Sequence, residues 1–243
     1  MRKLYVVGIG PGNYEGMTVG AVKALENADL IVGYTTYCDL IKPFFPGKKF
    51  LSTPMMQELE RCRLALEHAV SGETTAIICS GDAGIYGMAS PVLELAEEYN
   101  VEIEIIAGVT DAASGGALLG SPLTCDFAVI SLSDLLTPIE LIEKRIEKAA
   151  EADLCIVLYN PSSHKRSDYL RMACGIVMRH RPPNTLCGIT RNIGREGEYS
   201  HILTLAELAE MHVDMFTTVF IGNSSTQNID GKMVTPRGYK DVR

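Results

Sequence analysis

Residues 74–89 read Thr74-Thr-Ala-Ile-Ile-Cys79 followed by Ser80-Gly-Asp-Ala-Gly-Ile-Tyr-Gly-Met-Ala89. An apolar run stops at Cys79, and three glycines, one carboxylate and one phenol then share eight positions. Beyond them Met88, Val92, Leu95, Ala96 and Tyr99 fall at helical spacing. The pattern predicts a strand, a loop at its carboxyl end and an amphipathic helix. In an open α/β sheet such a loop faces a ligand, since glycine lets backbone approach closely. A plain strand-to-helix turn, with Asp82 capping the helix, accounts for the same residues.

The same arrangement precedes this stretch. Leu4 to Val7 is a short apolar strand leading into Gly8-Ile-Gly-Pro-Gly12, after which Thr18 can cap a helix carrying Met17, Ala21, Val22 and Leu25. A dinucleotide fingerprint would need G-x-G-x-x-G, but Asn13 holds its last position and Pro11 removes an amide. The next strand, Asp29 to Val32, ends in Gly33-Tyr34 rather than the acid a ribose would call for. Gly33-Tyr-Thr-Thr-Tyr37 reads as a polar, aromatic loop at the same edge. Gln57 to Val70 predicts a helix with Leu59, Cys62, Leu66, Ala69 and Val70 inward. Glu102 to Ile106 is a strand feeding Ala107-Gly-Val-Thr-Asp111, where Thr110 or Asp111 can cap a helix through Leu119. Strands alternating with helices in this way predict a parallel, doubly wound sheet.

Gly120-Ser-Pro122 interrupts the alternation and divides the chain into 1–119 and 120–243. In the second part Phe127 to Ile130 is a strand leading into Ser131-Leu-Ser-Asp-Leu-Leu136. Thr137-Pro-Ile-Glu140 has the form of a capping box and starts a helix to about Glu151. Leu154 to Leu158 predicts a buried strand ending in Tyr159-Asn-Pro-Ser-Ser-His-Lys-Arg166. A helix to about His180 follows, then a strand at Leu186 to Thr190 and the loop Arg191-Asn-Ile-Gly-Arg-Glu-Gly-Glu198. A short strand to Leu203 precedes a second capping box, Thr204 to Glu207. Phe216 to Ile221 is the last central strand, and Asp230-Gly231 marks a hairpin.

Composition narrows the function. Of 243 residues, 47% are hydrophobic and 21% charged, as in ordinary globular domains. A formal charge of −8 argues against a nucleic-acid partner, because a phosphate backbone is held by net basic surface. The seven cysteines are odd in number, without C-x-x-C spacing, and several lie in apolar runs. This predicts reduced thiols in a cytoplasmic protein, with no disulfide framework and no metal site. The basic-then-apolar amino terminus is broken by glycine and proline after about five apolar residues, too short for an export signal, and no later run is long enough for a membrane span.

Taken in order, Val7-Gly-Ile-Gly-Pro-Gly12, Ser80-Gly-Asp-Ala-Gly-Ile-Tyr-Gly87, Gly108-Val-Thr110, Ile130-Ser-Leu-Ser-Asp-Leu-Leu-Thr-Pro138, Leu158-Tyr-Asn-Pro161 and Thr235-Pro-Arg-Gly-Tyr239 resemble the tetrapyrrole methylases over nearly the whole chain. Gly33 to Tyr37 and the Ser-Leu-Ser-Asp and Tyr-Asn-Pro runs resemble the branch that methylates C17 of a precorrin, with ring contraction, in cobalamin synthesis. The resemblance implies two α/β domains, an N-terminal parallel sheet and a C-terminal mixed sheet. It implies a homodimer, with S-adenosylmethionine in the cleft between the domains and a tetrapyrrole as substrate. Carried over, the cofactor meets Pro11, Gly81, Asp82, Ala83, Ile85, Tyr86, Thr110, Asp111 and Tyr159. Ala83 stands where many members have proline, and Tyr34 where uroporphyrinogen methylases carry an aspartate.

Chemistry refines these roles. Positive charge on the donor sulfur disappears during methyl transfer, so a carboxylate against it would favour the ground state over the transition state. Asp82 is therefore expected on the cofactor's amino group or ribose, or on backbone amides. The substrate's acetate and propionate arms require local cations, for which Lys165, Arg166, Arg191, Arg195 and Arg237 are candidates. Ring contraction needs a proton acceptor, for which Asp111, Asp134 and Tyr34 are candidates.

Overall fold

The computed structural model describes residues 2–162 and 167–239. They form two compact units, Met1–Asp111 and Ala112–Arg243. The first contains β1 (Lys3–Gly8), α1 (Val19–Asn27), β2 (Leu30–Tyr34), α2 (Thr35–Ile41), β3 (Lys49–Thr53), α3 (Glu58–Ser71), β4 (Thr75–Cys79), α4 (Ala89–Ala96) and β5 (Glu102–Ile106). Its five strands are all parallel, in the order β3-β2-β4-β1-β5. The apolar runs at Leu4, Ile31 and Ile77 are buried on both faces, as a parallel sheet covered by helices demands.

The helices divide between the two faces. Val7, Ile9, Ile31 and Ile78 pack with α1 and α2 through Ala21, Leu25, Cys38 and Ile41. Leu4, Val6, Val32 and Ile77 pack with α3 and α4 through Cys62, Leu66, Ala89 and Val92. Neighbouring strands β1 and β4 thus send their connections to opposite faces, which makes their carboxyl ends the topological switch point of the sheet.

Several local expectations are corrected. Gly33 to Tyr37 is not a loop: β2 runs through Tyr34 and α2 begins at Thr35, because Cys38 and Ile41 supply an inward face and the Thr35 hydroxyl ties back to the Thr53 carbonyl at 3.2 Å. Edge strand β3 carries no alternating apolar pattern and gave no signal in the sequence. On α3 Leu59 is 53% exposed, and Arg61, 4% exposed, joins the inward stripe instead. Met88, not Asp82, is the N-cap residue of α4, and no side chain caps that end.

The second unit contains α5 (Asp111–Leu119), β6 (Gly120–Ser121), β7 (Phe127–Ser131), α6 (Ile139–Glu151), β8 (Cys155–Tyr159), α7 (Tyr169–Val177), β9 (Leu186–Arg191), β10 (Tyr199–Thr204), α8 (Leu205–Ala209), β11 (Thr217–Ile221), β12 (Gln227–Ile229) and β13 (Lys232–Val234). Its main sheet, β10-β9-β11-β8-β7, is mixed: β7 and β8 are parallel and the remaining pairs antiparallel. Strands β7, β8 and β9 consequently point the same way and end on one edge. A smaller sheet pairs the β12–β13 hairpin with β6, and Asp230 and Gly231 turn it with φ of 50° and 76°.

The division follows Asp111, the first residue of α5, whereas the sequence placed it after that helix. The reason is Gly115, where a Cβ would come within 2.6 Å of the Thr190 hydroxyl and 2.9 Å of the Phe220 ring. Helix α5 lies directly on β9 and β11 and belongs to their core, with Ala112 and Leu119 packed beside Phe220. The capping box at Thr204 forms in full. That at Thr137 does not, since α6 starts only at Ile139 with Pro138 as N-cap residue and no side-chain bond. Helix α7 ends at Val177, short of His180.

Candidate active site

The carboxyl edge of the first sheet gathers the loops after β1, β4 and β5. Two glycines join the first pair: the Gly10 N–H donates to the Gly81 carbonyl at 3.0 Å and the Gly81 N–H to the Gly10 carbonyl at 2.9 Å. The third loop is joined through Asp82. Its Oδ2 accepts the Gly108 N–H at 2.9 Å, and its Oδ1 accepts the Gly84 N–H at 2.8 Å within its own loop. The approach of these loops leaves no room at Gly108, where a Cβ would stand 2.1 Å from the Gly81 carbonyl and 2.6 Å from that of Gly8. The Thr18 hydroxyl caps α1 by accepting the Ala21 N–H and donates to the Ala107 carbonyl at 2.9 Å. The three loops therefore form one hydrogen-bonded unit.

The residues expected at a cofactor occupy distinct places here. Pro11 is buried in the first loop, and Ala83, 1% exposed, turns its methyl into the core beneath the second. Gly81 and Asp82 hold the loops together. Ile85 and Tyr86, 42% and 60% exposed, stand outward, and Tyr86 has a φ of 53° that only a well-braced loop imposes on a non-glycine residue. Thr110 leads into α5, and Asp111 is its first residue, where an acid suits the helix dipole. Tyr34 ends β2, its ring edge-on to Tyr37 at 5.2 Å.

In the second unit the edge shared by β7, β8 and β9 carries Asp134, Tyr159 and Arg191. The Leu132 N–H donates to the Tyr159 carbonyl at 2.9 Å and the Asn160 amide to the Ser131 hydroxyl at 3.0 Å, so the Ser-Leu-Ser-Asp and Tyr-Asn-Pro runs interlock. The Tyr159 hydroxyl accepts the Ala112 N–H at 2.7 Å, at the start of α5. Asp134 is oriented by Tyr169, whose hydroxyl donates to its Oδ2 at 2.7 Å. Arg191 is ion-paired with Asp214 at 2.6 Å. Arg195 lies in the following turn, and Arg237 sits over the Tyr239 ring at 5.8 Å. Lys165 and Arg166 lie outside the described residues.

Two groups escaped the sequence reading. Tyr169 gave no signal, because its partner lies on another loop. Arg61 did give one: it occupies an inward position with Ala65 and Ala69, at i+4 and i+8, where a charge is out of place.

Interlocked glycine loops at a switch point, an acid withdrawn onto backbone amides, and a tyrosine-held aspartate on a separate mixed sheet suit a small-molecule transferase. A profile of the tetrapyrrole (corrin/porphyrin) methylases matches residues 3–209. The chain belongs to this family. Among its relatives, a probable cobalt-factor III C(17)-methyltransferase of Salmonella typhimurium is 45% identical over 97% of this chain and 99% of its own length. The cobalamin biosynthesis protein CbiHC of Archaeoglobus fulgidus is 49% identical over 98% of this chain, which spans 53% of that protein. A cobalt-factor III methyltransferase of Priestia megaterium is 42% identical, and the chain spans 45% of it. Of solved structures, that of the methyltransferase CobJ superposes with a TM-score of 0.89 at 33% identity, covering 96% of this chain and 99% of that one.

Proposed function

We infer that this tetrapyrrole methylase uses S-adenosylmethionine to methylate C17 of precorrin-3B or cobalt-factor III. Ring contraction accompanies the transfer, giving precorrin-4 or cobalt-precorrin-4 in cobalamin biosynthesis. The observation that carries this reading is the 45% identity, end to end, with the Salmonella C(17)-methyltransferase. The edge of the first sheet fits the donor chemically. When bound, the donor supplies a methyl group already activated by a sulfonium.

The chain's own residues then have separable tasks. Gly10, Gly81 and Gly108 hold three loops in fixed register, giving a small, neutral rim at which backbone can face the donor. Asp82 keeps both oxygens on Gly84 and Gly108 amides and so does not oppose loss of the sulfur's positive charge. Ile85, Tyr86, Thr110, Asp111, Pro11 and Tyr159 complete the contacts assigned to the donor. Asp134, fixed by the Tyr169 hydroxyl, is the best-oriented candidate for the proton acceptor in ring contraction, ahead of Asp111 and Tyr34. Arg195, Arg237, Lys165 and Arg166 are read as cations for the substrate's acidic arms, with Arg191 shared with Asp214.

Incubation with labelled donor and a panel of precorrins tests the assignment: label must enter the C17 substrate and demethylated donor must appear. Methyl transfer only to an earlier precorrin would overturn the C17 reading. The same reading makes the protein a cytoplasmic homodimer, in keeping with its seven free cysteines, and light scattering measures the dimer directly.

A further inference from the structure

Strands β2 and β3 end side by side, with Tyr34 paired to Thr53 in the last rung of their ladder. Over that rung lies the guanidinium of Arg61. Its Nε donates to the Thr53 hydroxyl at 2.9 Å and its Nη2 to the Pro54 carbonyl at 3.0 Å, while its Cζ stands 5.9 Å from the centre of the Tyr34 ring. Only 4% of the residue is exposed. Among the described residues the guanidinium has no carboxylate partner, and Nη1 donates to no protein atom yet is not sealed from solvent.

A guanidinium withdrawn from water without a counter-ion is costly, and two neutral acceptors and one ring face offset only part of that cost. Burial raises the thiols of Cys38, Cys62 and Cys79 to about 11, 12 and 11, and in each case Arg61 pulls the other way. The segment that delivers the Pro54 carbonyl is itself strained: Met56, exposed and not glycine, has a φ of 66°. A positive charge is thus held, at some expense, on the carboxyl edge that also carries the donor loops.

We propose that Arg61 is a binding residue for a carboxylate, which Nη1 receives beside the Tyr34 ring. Resting on the function proposed above, that carboxylate is an acetate or propionate arm of the tetrapyrrole or the carboxylate of the methyl donor. The fork of a guanidinium suits either one, and a planar ring flanking Tyr34 fits the former.

Binding is measured without turnover, so the result is independent of which precorrin is methylated. Wild type, Arg61→Met and Arg61→Lys are titrated with a tetrapyrrole bearing free acetate and propionate arms, with its methyl ester, and separately with S-adenosylhomocysteine by calorimetry. Arg61→Met is expected to weaken the free acid tenfold or more and the ester less than twofold, and Arg61→Lys to recover part of the loss. A loss confined to S-adenosylhomocysteine assigns the carboxylate to the donor. Equal losses for acid and ester, or unchanged affinity for every ligand with a lowered melting temperature, overturn the proposal. Should Arg61→Met fail to fold, Arg61→Lys decides alone, since loss of the fork must still weaken the acid or the donor selectively.

Discussion

Asp82 and Gly108 meet across 26 positions of sequence, a carboxylate oxygen of one accepting the backbone N–H of the other at 2.9 Å. The contact joins the loop after β4 to the loop after β5, and the second oxygen of Asp82 braces Gly84. Asp82→Ala strands both amides. Hydrogen bonds to a charged group contribute about 1.5–3 kcal/mol each, so a loss of about 2 kcal/mol in urea unfolding is expected after water replaces part of them. S-adenosylhomocysteine affinity should fall as well. Asp82→Asn, which keeps one acceptor, should lose about half as much.

The same junction predicts a contrast between glycines. Gly108→Ala forces a methyl against two carbonyls and is expected to destabilise by about 3 kcal/mol or to prevent folding. Gly84→Ala places its methyl 3.4 Å from the Asp82 carboxylate, and a change below about 1 kcal/mol is expected. Matched thermal melts of the two variants give the comparison.

Alkaline pH should weaken the fold through its buried thiols. Burial holds Cys79 at about 11 and Cys174 at about 12, against 9.0 for an ordinary thiol. Between those values the unfolded chain has released protons that the folded chain keeps, so stability falls as pH rises from 9 toward 12. The urea midpoint should drop over that window, and Cys79→Ala should flatten part of the drop. At neutral pH, labelling by iodoacetamide should reach partly exposed Cys125 before the six buried cysteines, as mass spectrometry can follow.

The proton acceptor is open to a pair of variants. Asp134→Asn should lower kcat by about 100-fold or more, the range a positioned general base supplies. Tyr169→Phe removes only the orienting hydroxyl and should cost less while changing the pH profile of kcat. Tyr34→Phe retains the ring beneath Arg61, and activity within a few-fold of wild type is expected. A large loss there would make the Tyr34 hydroxyl the acceptor instead.

Much of this was legible in the sequence because buried parallel strands advertise themselves. Leu4 to Val7 and Ala76 to Ile78 need no turn signal beyond the glycines that follow, and Thr204 with Glu207 or Asp230 with Gly231 specify local hydrogen bonds whatever surrounds them. Strand β3 escaped because an edge strand with one open side needs no apolar alternation. The box at Thr137 failed because Pro138 took the cap position and pushed the helix start past it. The unit boundary was misplaced because the tie between α5 and Phe220 depends on residues a hundred positions apart; the inward position of Arg61 was legible from its spacing with Ala65 and Ala69, but its partners are set by the fold.

The reciprocal Gly10–Gly81 bonds have a consequence for the timing of order. Two backbone segments that exchange both donors and acceptors open together, so the Gly10 and Gly81 amides should exchange with deuterium at a common rate. The conformational entropy of both loops is surrendered during folding, before any ligand arrives. A small molecule docking at this edge therefore meets a rigid seat, and its affinity is not diminished by having to organise one.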